Sequence, residues 1–222
     1  MATDIKSEKG MDEIIMDGLR EHPNKGEKLQ DNHMMSVLQR LYPNQKWIYN
    51  EYLRDDTGKI VKTKVGKRLR PDFISKELKL VIEIDGDNTI RRGHYSTAEE
   101  VLNDQEKDKC YQRMGYRVVR IPMYVQLDQE MVKHYFDIDY EKDLYPTCHM
   151  HGFAHPLILL PADFCELGVE RFEKEMIQLP NNVRKEIIGT LKCRIRLFRE
   201  KGYDEEQAVS MVLPSRLRYL FE

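Results

Sequence analysis

The sequence predicts an α/β fold: a meander of three or four antiparallel strands over residues 46–85, then alternating helix and strand, with helices before it and a small, mostly helical subdomain after it. Three observations predict this. Apolar spacing is helical over the first forty or so residues, strand-like from residue 46 to 85, and then alternates between helix and strand. A β-branched run, Tyr116 to Ile121, follows a helical stretch and reads as a further strand. Composition shifts again near Asp137. The chain therefore divides into an N-terminal helical segment (1–45), a core (46–136) and a C-terminal subdomain (137–222). A length of 222 residues is enough for one solid core plus an appendage.

The elements follow in order. Residues 1–10 are polar and are expected to fray. Met11, Ile14, Ile15 and Leu19 have helical spacing, as do Met34, Val37, Leu38 and Leu41. Trp47 to Leu53 reads as a strand, Asp55-Asp56-Thr57-Gly58 as a turn, and Ile60-Val61 as the start of a return strand. Arg70 to Ile74 is a short strand and Ser75-Lys76-Glu77 a turn. Leu78 to Asp85 is the most apolar strand, closed by Gly86. A capping box at Ser96/Glu99 or Thr97/Glu100 opens a helix that runs to Met114, with Gly115 just past its end. Pro122 stops the next strand. Leu127 to Phe136 is a further helix capped by Asp128. Residues 137–165 are irregular. Val183, Ile187, Ile188, Leu191, Ile195 and Phe198 form a helical apolar face, and a short helix over Glu205 to Val212 ends the chain. No internal repeat is visible.

Composition sets limits on function. Hydrophobic residues make up 41% and charged residues 33%, which is a soluble globular balance. No apolar run approaches the ~20 residues that span a bilayer, so no membrane partner is expected. The N-terminus lacks an apolar signal core, which makes the cytoplasm the expected location. Cys110, Cys148, Cys165 and Cys193 are then expected as reduced thiols. A net charge of -2 excludes a protein that coats nucleic acid by bulk charge, but the charge is unevenly placed. From Lys62 to Arg70 five residues are basic (Lys62, Lys64, Lys67, Arg68, Arg70) and none is acidic.

An acidic cluster follows directly. Strand alternation puts Glu83 and Asp85 on one face, with Ile82 and Ile84 on the other. A hairpin turning near Lys76 brings Asp72 level with Glu83. Three carboxylates then converge. Such a cluster raises its own pKa values unless a cation neutralises it. Oxygen ligands select a hard ion, Mg²⁺ or Mn²⁺, and such an ion serves phosphodiester hydrolysis. Acidic residues at strand ends beside a glycine turn also occur without any ligand, so spacing alone does not decide. The carboxylates, however, interrupt an otherwise apolar strand, and the basic run before Asp72 suits approaching phosphates.

The ordered set Pro71-Asp72-Phe73, Glu83-Ile84-Asp85-Gly86, His94, Asp104-Gln105-Glu106-Lys107 and Gly115-Tyr116-Arg117-Val118-Val119-Arg120 resembles the PD-(D/E)xK nuclease superfamily. Within it, the likeness is to the branch of very-short-patch repair endonucleases and related phage homing endonucleases. It covers about Arg70 to Pro122. The resemblance implies a restriction-endonuclease-like mixed sheet flanked by helices, with metal at Asp72 and at Glu83 or Asp85. The superfamily's lysine position is Asp85 here, which makes Lys107 the candidate for phosphate stabilisation. The repair enzymes carry a histidine where Asp85 stands, and the loop from Gly86 to His94 is longer than their pattern.

The expected function is therefore a metal-dependent DNA endonuclease of phage, mobile-element, restriction or repair type. The alternative is a non-catalytic nucleic-acid-binding protein on the same fold. Asp72 and Glu83 are the expected metal ligands, and Asp85 is expected to bind a metal or orient the attacking water. His94 is a general base or a hydrogen-bond donor to phosphate, or else an exposed loop histidine. Asp104 and Lys107, one turn apart, face the site or form a plain solvated pair. Asp108 and Lys109 read as surface charges. Lys64, Lys67, Arg68 and Arg70, with Arg91 and Arg92 in the following loop, are the expected DNA contacts. The stripe Lys185, Lys192, Arg196 and Arg199 reads as a solvated face. Cys148, His149, His151, His155 and Cys165 match no paired-cysteine zinc knuckle. Trp47 and Tyr49 read as core residues. One chain carries one such site, so cutting both strands calls for a homodimer or sequential nicking.

Overall fold

A computed structural model describes residues 34, 35, 37–85, 94–122, 125, 127, 129–141 and 164–221. The expected first helix, the loop holding Arg91 and Arg92, the cap Asp128 and the group Cys148, His149, His151 and His155 lie outside the described residues. The fold is mixed α/β. A four-stranded mixed sheet, β1 (Ile48–Tyr49), β2 (Phe73–Ser75), β3 (Leu80–Asp85) and β4 (Arg117–Pro122), runs in that order and is flanked by helices. β1, β2 and β3 are antiparallel neighbours, and β4 lies parallel to β3. A parallel neighbour requires a crossover, which is helix α1 (Ala98–Arg113). Thr97 caps α1, its hydroxyl accepting from the Glu100 N–H at 3.2 Å. Gly115 leaves the helix at φ +80°, a left-handed turn that a side chain would strain. The Arg117 N–H then donates to the Lys79 carbonyl at 2.8 Å and sets the β3–β4 register.

The sheet separates two cores. On one face Phe73, Leu80, Ile82, Val119 and Ile121 pack against the helical residues 34–41, α2 (Gln129–Phe136), α3 (Glu166–Gln178), α4 (Asn181–Glu200) and α5 (Glu205–Ser210). The other face packs Ile74 and Val81 against Cys110 and Tyr111 of α1. Glu83 and Asp85, in phase with Val81, point to this second side. Among the described residues, no helix is long and apolar enough to cross a membrane.

Three strand expectations shrink. The expected strand Trp47 to Leu53 is only Ile48–Tyr49, because Asn50 turns to φ 51°. Ile60 makes a single bridge to Arg54, and the strand expected from Arg70 begins at Phe73. The chain between β1 and β2 has another use: an eight-residue structural repeat that was not visible as a sequence repeat. The Leu53 N–H donates to the Leu69 carbonyl, Val61 to Leu53, and Leu69 to Val61, at 2.9, 2.9 and 3.0 Å, closing a ring of three extended segments. The two linking turns match. The Lys59 N–H donates to the Asp55 carboxylate at 3.0 Å, and the Lys67 N–H to the Thr63 hydroxyl at 3.1 Å. Gly58 and Gly66 occupy equivalent positions. The repeat escapes a sequence scan because it is carried by backbone pairing, with Asp and Thr as interchangeable acceptors.

Helix α3 was not foreseen. Its apolar face, Val169, Phe172 and Met176, is short and set among charges. Cys165 caps it, the thiol accepting from the Gly168 N–H at 3.3 Å. Gly168 lies against the Tyr95 main chain, where an added Cβ would come within 1.9 Å of the carbonyl oxygen. This close approach fixes α3 against the segment carrying His94.

Candidate functional site

The hairpin register Phe73↔Ile82 continues one step to set Asp72 opposite Glu83. Direct cross-strand partners share a face, with Cβ atoms about 4.5–5.5 Å apart. The Asp72 carboxylate also accepts the Ile84 N–H at 2.7 Å, which holds it against β3. Glu83 is buried. Its Oε1 accepts from the Tyr111 hydroxyl at 2.9 Å. Among the described residues, no cation lies within ion-pair distance of it. Burial, then the Asp72 charge, push its carboxyl up to about 8, against the weaker pull of Arg120 and Lys107. Glu83 thus meets a second carboxylate with, among the described residues, no cation at contact distance of its own.

Asp85 stands two residues along the same strand in a different setting. Arg120 of β4 donates to its Oδ1 at 2.6 Å, and Arg171 of α3 to its Oδ2. The His94 Nδ1 lies 3.5 Å from Oδ1. Asp104 of α1 shares these partners, His94 at 2.5 Å, Arg171 at 2.9 Å and Arg120 at 3.7 Å, and adds Lys107 at 3.3 Å. Asp108 also joins, accepting from Arg120 at 2.8 Å, so it is not the free surface charge expected from sequence. Lys109 is exposed, as expected. Burial opposes the imidazolium of His94, yet Asp85 and Asp104 outweigh it and raise its pKa. Burial likewise opposes ionisation of Asp104, but the His94 hydrogen bond and the charges of Arg120, His94 and Lys107 hold it below the usual range. Arg171 further lies over the Tyr95 ring at 5.1 Å and donates to Glu175 at 2.9 Å. A cleft of about 500 Å³, lined by Asp104, Arg120, Arg171 and Glu175 among others, opens beside this network.

The structure thus brings Asp72, Glu83, Asp85, His94, Asp104 and Lys107 to one side of the sheet. It splits them into a carboxylate pair and a charge-balanced cluster. Sequence reasoning missed Arg120, Arg171 and Tyr111. Arg120 sits in a quoted motif, and its phase with Val118 on β4 was an available signal. Arg171 had none, because its partners are 67 and 86 residues away in the chain.

Two groupings can be tested as cation sites. Asp85, His94 and Asp104 offer ligand atoms all within 4.8 Å of one another. Two guanidiniums already occupy those carboxylates. A single like charge at about 4 Å opposes an incoming cation by ~4 kcal/mol at an effective dielectric near 20, and a divalent ion doubles that. Asp72 and Glu83 fit better: hard oxygen donors, with burial and the Asp72 charge keeping Glu83 largely neutral near pH 7.

The expected DNA contacts that are described, Lys64, Lys67, Arg68 and Arg70, are all exposed, with Lys67 bonded to Glu99 at 3.1 Å. On α4, Lys185 and Lys192 are exposed, while Arg196 and Arg199 pair with Glu200 and Glu205 at 3.8 and 2.7 Å. Trp47 packs on Tyr42 as a core-side residue, but Tyr49 is 37% exposed. Cys110 and Cys165 are free thiols.

No family model, no curated protein and no solved structure matches this chain. The functional reading therefore rests on the site itself.

Proposed function

We propose that this chain is a divalent-metal-dependent DNA endonuclease with a restriction-endonuclease-like core. The observation that carries the reading is the cross-strand pair Asp72–Glu83, with Glu83 buried and pushed up to about 8. A mixed sheet flanked by helices agrees with what the PD-(D/E)xK resemblance implies. Asp72 and Glu83 are the residues that hold Mg²⁺ or Mn²⁺. Bound there, the ion supplies charge neutralisation and Lewis-acid polarisation of the phosphodiester.

The chain's own groups do the rest. Lys107, one α1 turn from Asp104, draws on the Glu83 carboxyl together with Arg120 and steadies negative charge on the phosphate. His94, its pKa raised by Asp85 and Asp104 against the opposing effect of burial, acts as a hydrogen-bond or proton donor to the phosphate and not as the base. Asp85 serves chiefly to position His94, Arg120 and Arg171, which moves it from the expected ligand role to a supporting one. Lys64, Lys67, Arg68 and Arg70 contact the DNA backbone.

A second reading, DNA binding without catalysis, is favoured by the two arginines that occupy Asp85 at the superfamily's lysine position. One experiment separates them. Plasmid DNA is incubated with the parent, Asp72→Asn and Glu83→Gln proteins in Mg²⁺, Mn²⁺ or chelator. The nuclease reading expects metal-dependent cutting by the parent and a loss of about 100-fold or more in each variant, on the scale of a removed transition-state contact. Binding that persists in chelator with no cutting in either metal favours the second reading. Equal cutting by all three proteins removes the site assignment.

A further inference from the structure

The eight-residue repeat between β1 and β2 carries a feature that phosphate contact does not explain. Tyr52 is a large aromatic side chain left 40% exposed. Two guanidiniums lie over its ring, Arg68 at 5.5 Å and Arg70 at 5.8 Å from the centroid. Both arginines are exposed, and among the described residues neither has a carboxylate partner. The ring of hydrogen bonds through Leu53, Val61 and Leu69, with those three side chains packed on the α1-side core, holds the arm rigid beneath them. A backbone-tracking surface needs only cations. An aromatic ring with planar cations stacked on it offers flat faces as well, and flat faces suit nucleobases. A base inside a paired duplex is stacked on its neighbours and presents no face.

The arm is also continuous with the carboxylate pair. The Asn50 N–H donates to the Asp72 carbonyl at 2.9 Å, and Arg70 precedes Asp72 by two residues, about 7 Å of extended chain. Lys62 and Lys64 extend the positive surface along the arm, both exposed.

We propose that Tyr52, Arg68 and Arg70 form a stacking platform for unpaired bases, so that the substrate is DNA carrying a single-stranded or unpaired stretch next to the cleaved bond. This deepens the nuclease reading and rests on it for the word substrate, but the binding surface stands apart from the metal site.

The test is fluorescence anisotropy in chelator, where no cutting occurs. Labelled single-stranded DNA, a fully paired duplex and the same duplex with a short central bubble are titrated with parent, Tyr52→Phe, Tyr52→Leu and Arg68→Gln proteins. The parent should bind the unpaired DNAs roughly ten-fold more tightly than the duplex, the size of one stacked base. Tyr52→Phe should keep that preference, Tyr52→Leu should abolish it, and Arg68→Gln should weaken it. Equal binding of all three DNAs by the parent overturns the platform, as does a Tyr52→Leu protein that keeps the preference. The two readings fail separately. If Asp72-dependent cutting is seen while Tyr52 is immaterial, the nuclease reading stands alone. If the Tyr52 preference is seen without Asp72-dependent cutting, the platform stands alone as a binding surface. A parent that binds none of the three DNAs overturns both.

Discussion

Glu83 and Asp85 are two residues apart on one strand and point to the same side of the sheet, yet their surroundings differ in kind. Glu83 meets a second carboxylate and a phenol. Asp85 meets two guanidiniums and an imidazole. The contrast teaches that closeness of potential ligand atoms is a poor guide to a cation site. Asp85, His94 and Asp104 hold ligand atoms within 4.8 Å of one another, but Arg120 and Arg171 already fill that cluster with positive charge. Glu83, buried beside the Asp72 carboxylate, is left with the unmet demand.

Substitution should expose the difference most strongly. Asp85→Asn removes the buried carboxylate that Arg120 and Arg171 share, while Arg120 keeps Asp108 and Arg171 keeps Asp104 and Glu175. Losing one partner of a buried ion pair costs about 3–5 kcal/mol. Glu83→Gln replaces a carboxyl that is largely neutral near pH 7 with a near isostere, and should change stability by less than about 1 kcal/mol. Urea unfolding in chelator at pH 7 measures both. If Glu83→Gln is the more damaging of the two, the assignment of neutral and charged roles is reversed.

The second way to break the comparison is to move α3, which brings Arg171 to Asp85. Gly168→Ala places a methyl group against the Tyr95 carbonyl, and overpacking of this kind costs about 1–3 kcal/mol. Its melting temperature should fall, with Asp72 and Glu83 untouched. An unchanged melting temperature would show that α3 does not press on the His94 segment.

A third effect is on pH dependence. The folded-state pKa of Glu83 is raised to about 8, so the folded state keeps a proton that the unfolded chain loses above about 4.5. Metal-free stability should therefore fall as pH rises from about 5 to 8, by at most ~1.4 kcal/mol per pH unit, and flatten above. His94, also raised, adds a fall of the same sign as pH rises through its folded pKa. Glu83→Gln should thus flatten the slope without removing it. A slope identical to the parent's would mean that Glu83 is ionised throughout.

Much of the hairpin was legible in the sequence. Its apolar run and the turn at Lys76–Lys79 fix the register, and the register alone pairs Asp72 with Glu83. Thr97 and Gly115 bounded α1 because caps are local chemistry. The balancing charges were not legible. Arg171 reaches Asp85 only because Gly168 lets α3 approach Tyr95, and nothing near Arg171 in sequence records that contact. Asp108 looked like a surface charge because its partner Arg120 lies on the strand beneath, 12 residues on. The arm between β1 and β2 was misread as strand because its hydrogen bonds close on themselves and not along a ladder.

The central claim is that a hard cation belongs between Asp72 and Glu83. The most direct measurement is Mn²⁺ binding, by titration calorimetry or electron paramagnetic resonance, to the parent, Asp72→Asn and Glu83→Gln proteins without DNA. One ion should bind the parent, with release of about one proton near pH 7, since a ligand must be deprotonated to coordinate. Each variant should bind at least about ten-fold more weakly, a difference of ~1.4 kcal/mol. Undiminished Mn²⁺ affinity in both variants would contradict the account.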